Sequence, residues 1–226
     1  MRLGQITGSA FITAFSGAAM PGPVLAAAIF YAAGPWGALA GPVIMLGHLV
    51  LEISLVLALT AGLARWLSRP GSPLVRIIGV VGGLTLLLMA YDMFRGLPHL
   101  SMQAATQSPQ NAGPFTAGIL LSATNPYFWI WWATIGLGMF GPAMAARGRR
   151  GVAAFYLGHY SADLVWYTLV SLLIATGRSL LSDGVFRALI GCCALMLVLF
   201  GVRFVLFGLR PTAAVAPAGP TDATAA

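Results

Sequence analysis

The sequence predicts an all-α integral membrane protein, with six transmembrane helices arranged as two inverted three-helix repeats. Three observations lead there. The 226 residues are 59% hydrophobic and 8% charged, whereas a soluble domain carries about 25% charged residues. Apolar stretches of the length a helix needs to cross a hydrocarbon core, about 20 residues, fall near 6–31, 37–64, 74–94, 114–140, 152–176 and 186–209. Finally, Gly47-His48-Leu49-Val50-Leu51-Glu52 returns 111 positions later as Gly158-His159-Tyr160-Ser161-Ala162-Asp163. Each stretch is about twice as long as a barrel strand requires, so the crossings are helical.

The first stretch contains Met20-Pro21-Gly22-Pro23. Proline donates no amide hydrogen and glycine loosens the backbone, so a break is expected here, with the carbonyls of Gly17 and Ala19 left free. The second stretch carries His48 and Glu52 on one helix face, one turn apart. The third opens at Arg76 and closes near Asp92, which is expected to meet Arg95 at the membrane interface. A Gly/Pro/Gln/Ser-rich segment, 96–113, then separates the two halves.

The fourth stretch is interrupted by Thr124-Asn125-Pro126, where Pro126 is expected to free the carbonyl of Ser122, and continues into Tyr127-Phe128-Trp129-Ile130-Trp131-Trp132. The fifth carries His159 and Asp163, followed on the same face by Trp166 and Tyr167, two candidates for a transport pathway. The sixth opens at Arg187, again 111 positions after its counterpart Arg76, and holds Cys192, Cys193 and Arg203. The Ala/Pro/Thr-rich tail reads as disordered. The expected division is a first repeat over 1–95, a loop over 96–113, a second repeat over 114–210 and a tail over 211–226.

Three crossings is an odd number, so the second copy enters the membrane from the opposite side. This is the inverted-repeat plan of secondary transporters. Glu52 and Asp163 lie near mid-span and are expected to reach one shared cavity. Irregular backbone at that depth survives only against protein or a wet cavity. Freed carbonyls suit an ammonium group, and the amides of a restarting half-helix suit a carboxylate, so the two breaks together suit a zwitterion.

Arginine supplies all twelve positive charges, which excludes lysine-based covalent chemistry. Arg2, Arg65, Arg69, Arg76, Arg147, Arg149, Arg150 and Arg210 fall on one side of the six-crossing plan, and Arg95, Arg178 and Arg187 on the other. By the positive-inside rule both termini are cytoplasmic. The basic pI then reflects inner-face arginines, not a nucleic-acid footprint. The expected partners are the lipid bilayer and a small-molecule substrate, with no nucleic acid and no cofactor; a homo-oligomer is left open. No His-Glu-x-x-His, Gly-x-Ser-x-Gly or phosphate-loop signature occurs, so the chain does not read as an enzyme. A membrane enzyme or scaffold is the second alternative.

An ionisable residue inside a membrane is costly and points to function. Three readings of the pairs His48/Glu52 and His159/Asp163 stay open: hydrogen bonds that hold a helix interface, proton coupling, and a transition-metal site for zinc or manganese formed by His48, Glu52, His159 and Asp163.

Pro21-Gly22-Pro23 in the first crossing, Gly41 and Gly47 with Glu52 in the second, Asn125-Pro126 in the fourth, and Asp163 with Trp166-Tyr167 in the fifth together resemble the LysE-type amino-acid exporters. The resemblance covers about residues 5–210. It implies a proton-driven transporter in the inner (plasma) membrane that exports amino acids or related small amines from the cytoplasm. The substrate and coupling residues it implies are Glu52, Asp163, Pro21, Gly22, Pro23, Asn125, Pro126, Trp166 and Tyr167, to which the helix spacing adds His48 and His159 as partners of the acids. Wider relatives of this architecture move divalent cations, which is the alternative reading, or pass reducing equivalents through a cysteine in each repeat. No cysteine stands beside Pro21 or Pro126 here, which removes the thiol route. The chain departs from the exporter pattern at Val24, where a polar residue is usual, and at the two added histidines.

Overall fold

Prolines and glycines decide where these helices start, stop and bend. The structure, a computed structural model, describes residues 1–63, 73–101, 113–177, 179–180 and 182–209. Among them every regular element is helical: α1 (Leu3–Ala18), α2 (Pro23–Ala33), α3 (Ala40–Ala58), α4 (Pro73–Gly96), α5 (Gly113–Ala123), α6 (Pro126–Trp131), α7 (Leu137–Thr176) and α8 (Asp183–Leu209). Single 3-10 turns at Gly37–Leu39 and Leu97–His99 and π-helical turns at Leu59–Leu63 and Trp132–Gly136 join some of them. Arg65, Arg69, Arg178, Arg210, most of the expected loop (102–112) and the tail (211–226) lie outside the described residues.

Among the described residues three stretches are long and apolar enough to cross a membrane unaided: Gly37–Gly62, Gly79–His99 and Asp183–Leu209. They correspond to the second, third and sixth expected crossings. The first and fourth are each divided, into α1 and α2 and into α5 and α6, with proline opening both α2 and α6. Proline fits the first helical turn because its missing N–H would have had no partner there. The fifth lies in the second part of α7, beyond a kink at the non-helical Gly148, φ +57°, where two helices meet. Gly37, 111 positions earlier, also has a positive φ, +53°. That region is open to glycine at little cost.

Packing follows the small residues. α1 lies along α7, α3 along α5, and α4 along α8, while α2 contacts α8 and α6 contacts α4. Any β-carbon on Gly47 would overlap the Phe115 carbonyl oxygen, and any on Gly158 would overlap that of Thr7. Such close backbone approaches are how helices associate in lipid, where no hydrophobic force drives them together. Leu57, Leu88, Leu157 and Leu173 point outward.

Arginines tie the ends. Arg76 Nε, at the start of α4, donates to the Gly208 carbonyl near the end of α8 at 3.2 Å. Arg187 Nε, near the start of α8, donates to the Leu100 carbonyl just beyond α4 at 2.6 Å, so α4 and α8 are antiparallel. Arg147 Nε donates to the Met1 carbonyl at 3.0 Å. Arg95, expected to meet Asp92, lies instead over the Tyr91 ring one turn back, 5.7 Å from its centroid. A ring face at i−4 offers the guanidinium a cation–π partner.

Candidate functional site

Glycine brings α3 and α7 together. At Gly41 the two backbones come so close that a β-carbon would overlap the Tyr167 carbonyl oxygen. Two and three turns further along α3 come His48 and Glu52, and one turn before Tyr167 on α7 comes Asp163, with His159 a turn earlier. The four ionisable side chains therefore meet across one helix interface.

Their pairing is not the one expected from spacing. The shortest contact runs between helices, with His159 Nε2 2.6 Å from Glu52 Oε1. The within-helix contacts are longer, 3.2 Å for His48 Nε2 to Glu52 Oε1 and 3.4 Å for His159 Nε2 to Asp163 Oδ2. His48 Nε2 and Asp163 Oδ2 stand 3.9 Å apart and close the ring. Glu52 has no exposed surface, and His159 and Asp163 are also buried. Only His48 opens somewhat outward, its side chain 13% exposed. Glu52 Oε2 and His159 Nδ1 are buried with no partner among the described groups.

Aromatic rings and one hydroxyl hold the cluster. The His159 imidazole lies 4.6 Å from the Trp131 ring, 5.1 Å from Trp132 and 6.2 Å from Phe155, centroid to centroid. His48 Nδ1 is 2.7 Å from Ser122 Oγ on α5. A serine hydroxyl can accept from Nδ1–H or donate to a bare Nδ1, and in the second case Nε2–H faces the Glu52 carboxylate. α5 reaches α3 because Gly118 sits against the Ile44 carbonyl with no room for a side chain.

All four cluster residues border a cavity of about 90 Å³. Pro21 and Gly22 from the first break, Asn125 from the second, and Tyr167 from α7 border it as well. Three residues expected at the site do not. Pro23 is buried in the first turn of α2, and Pro126 is pressed against Gly82 of α4. Trp166 turns to Phe15, with ring centroids 5.5 Å apart. Three positions after Asp163 the helix has rotated about 60° short of a full turn, and four positions after it only about 40° past one. Tyr167 therefore follows Asp163 into the cavity more closely than Trp166 does.

The breaks also differ in detail from the expectation. The Gly17 carbonyl is not free but accepts from the Met20 N–H at 3.1 Å, and the Ser122 carbonyl accepts from the Asn125 N–H at 3.2 Å. Both helix ends tighten into 3-10 turns, a common way to satisfy terminal carbonyls. The Asn125 side chain accepts the Tyr127 N–H at 3.0 Å and caps α6, while Gly22 offers α2 no side-chain cap. Ser122 was singled out in the sequence only for its carbonyl. The cavity contacts of Leu86 on α4 and Phe200 on α8 carry no signal in an apolar span.

A family model described as LysE type translocator matches residues 15–208, which takes in both breaks and all four ionisable residues of the cluster. No curated protein and no solved structure matches the chain. The matched region extends from the first divided crossing nearly to the end of α8, and the chain belongs to the LysE type translocator family of membrane transporters.

Proposed function

We propose that this transporter exports small solutes, amino acids or related amines, from the cytoplasm across the inner membrane, and that proton movement through the His48/Glu52/His159/Asp163 cluster drives it. The observation that carries the reading is the convergence of four ionisable side chains on one cavity bordered by both helix breaks. Carboxylates held at membrane depth beside imidazoles are the usual parts of a proton relay, and Tyr167 and Asn125 supply polar groups for a solute.

The proposed frame is six crossings in two inverted repeats, 1–95 and 114–210, joined by 96–113, with both termini cytoplasmic. Matched contacts support it. α1 meets α7 as α5 meets α3, α2 meets α8 as α6 meets α4, and Arg76 and Arg187 cap opposite ends of the α4/α8 pair. An odd-membered repeat places its two copies upside down relative to each other.

The test compares accumulation and release of a panel of amino acids and amines in cells with and without the gene, repeated with Glu52→Gln and Asp163→Asn. Both substitutions keep volume and remove charge. Each variant is expected to reach the membrane in normal amounts and to release solute no faster than cells lacking the gene. Full activity of the double variant would remove the cluster from the mechanism.

A further inference from the structure

We propose that His48 Nε2, Glu52 Oε1, His159 Nε2 and Asp163 Oδ2 form a four-coordinate site for a divalent transition-metal ion of zinc's class, bound between α3 and α7. The inference stands on the side chains alone and does not depend on which solute the transporter carries; an ion held by these four atoms takes the lone pairs a proton relay needs, so bound zinc should block proton-driven export.

Geometry comes first. Zinc bonded to nitrogen and oxygen at about 2.0–2.2 Å in a tetrahedron holds its ligand atoms about 3.3–3.6 Å from one another. The four contacts around the ring are 3.2, 2.6, 3.4 and 3.9 Å. Two are close to the tetrahedral edge. The short one, between His159 and Glu52, opens by rotation of the Glu52 carboxylate, whose second oxygen is buried without a partner and can serve as ligand in its place. His48, Glu52 and Asp163 already hold one ligand-type atom each within 4.8 Å of the others; His159 falls outside that set, and its imidazole must turn inward to complete four-coordination.

Charge and donor type come next. Two carboxylates with two neutral imidazoles carry two negative charges. A divalent ion cancels them where an uncompensated charge is expensive. Two imidazole nitrogens in a set of four favour zinc and its neighbours over magnesium or calcium, which take six or more oxygens.

The surroundings fit at His48, while His159 Nδ1 is buried without a partner among the described groups. Metal-bound histidines donate their other ring nitrogen to a partner that fixes tautomer and orientation, and Ser122 Oγ stands 2.7 Å from His48 Nδ1. The site has an entry path as well, because His48 is the cluster's most open member and borders the cavity.

The experiment uses the purified full-length protein, stripped with a chelator and titrated with cobalt and then zinc. One cobalt per chain is expected, with the intense visible absorption of a four-coordinate ion, bleached when zinc displaces it. Magnesium and calcium should not compete. His48→Gln and His159→Gln should each abolish the cobalt spectrum. Ser122→Ala, which leaves all four ligands in place, should weaken binding about 10–100-fold. His99→Gln, remote from the cluster, should change nothing. Elution as a single species and an unchanged helical spectrum exclude misfolding of the variants. The proposal is overturned by absence of stoichiometric binding in the unmodified protein, by the pale spectrum of a six-coordinate ion, or by binding that survives loss of both cluster histidines. A protein that binds zinc but, free of it, releases no solute removes the export reading alone, and one that exports without binding zinc removes the metal site alone.

Discussion

Gly158 has no side chain because the Thr7 carbonyl oxygen occupies the place where one would begin, with Ala10 Cβ 3.0 Å away. Gly158→Ala should push α1 from α7 and destabilise the protein by about 1–3 kcal/mol, the usual cost of overpacking. This would be read as a lower unfolding temperature in detergent. Gly138, on the same helix, has nothing within 4 Å of its missing β-carbon. There the alanine variant should be neutral or gain up to about 1 kcal/mol from helix propensity. Equal behaviour of the two variants would place α1 elsewhere. Gly158 was legible because it opens the repeated Gly-His-x-x-x-acid pattern, and the acids were legible because charge in an apolar span is costly. Ser122 was not: a lone hydroxyl in such a span forms no pattern, and its contact with His48 exists only once α5 docks on α3. The crossing of the pairs was hidden for a related reason. An i,i+4 spacing fixes which residues share a face, while the distance to the facing helix is set by glycines such as Gly41.

The second helix break depends on a single residue for its shape. Asn125 accepts the Tyr127 N–H through its side chain and the Phe128 N–H at 3.1 Å through its carbonyl, so it starts α6 in two ways. Asn125→Ala removes the first bond and should cost about 1 kcal/mol, whereas Asn125→Ser, another good cap, should retain most of that stability. Faster hydrogen exchange at the Tyr127 amide in the alanine variant alone is the matching local signal. Identical exchange in both variants would show that the cap contributes nothing. Proline chemistry located both breaks correctly. It misjudged the carbonyls of Gly17 and Ser122, because the chain ahead of each proline tightened to i→i+3 bonds instead of leaving those acceptors open. The kink that divides α7 was unreadable because it turns on the sign of φ at Gly148. Sequence pattern shows that a glycine is present and says nothing about which side of zero its φ takes.

Among the described residues three stretches are long and apolar enough to cross a membrane unaided, so the topology depends on what the divided helices do. If α5, α6 and the first part of α7 together cross the bilayer, residues 101 and 148 face opposite sides; if α5 and α6 merely dip in and return, those residues share one. The material suffices for crossing, since residues 113–147 give 35 helical or near-helical positions against the roughly 20 required. The proposed orientation rests on the arginines. The Arg147–Met1 bond places the bend near 148 beside the N-terminus. Arg2, Arg147, Arg149 and Arg150 gather there, against Arg95 and Arg187 at the end where α4 finishes and α8 begins. A bias of that size near helix ends puts the richer side in the cytoplasm. A reporter joined after residue 148 should therefore be active only in its cytoplasmic form, and one joined after residue 101 only in its exported form. Matching signals from the two fusions would make the fourth crossing re-entrant. The second half would then enter from the same side as the first, and Glu52 and Asp163 could no longer be equivalent positions about an axis lying in the membrane plane.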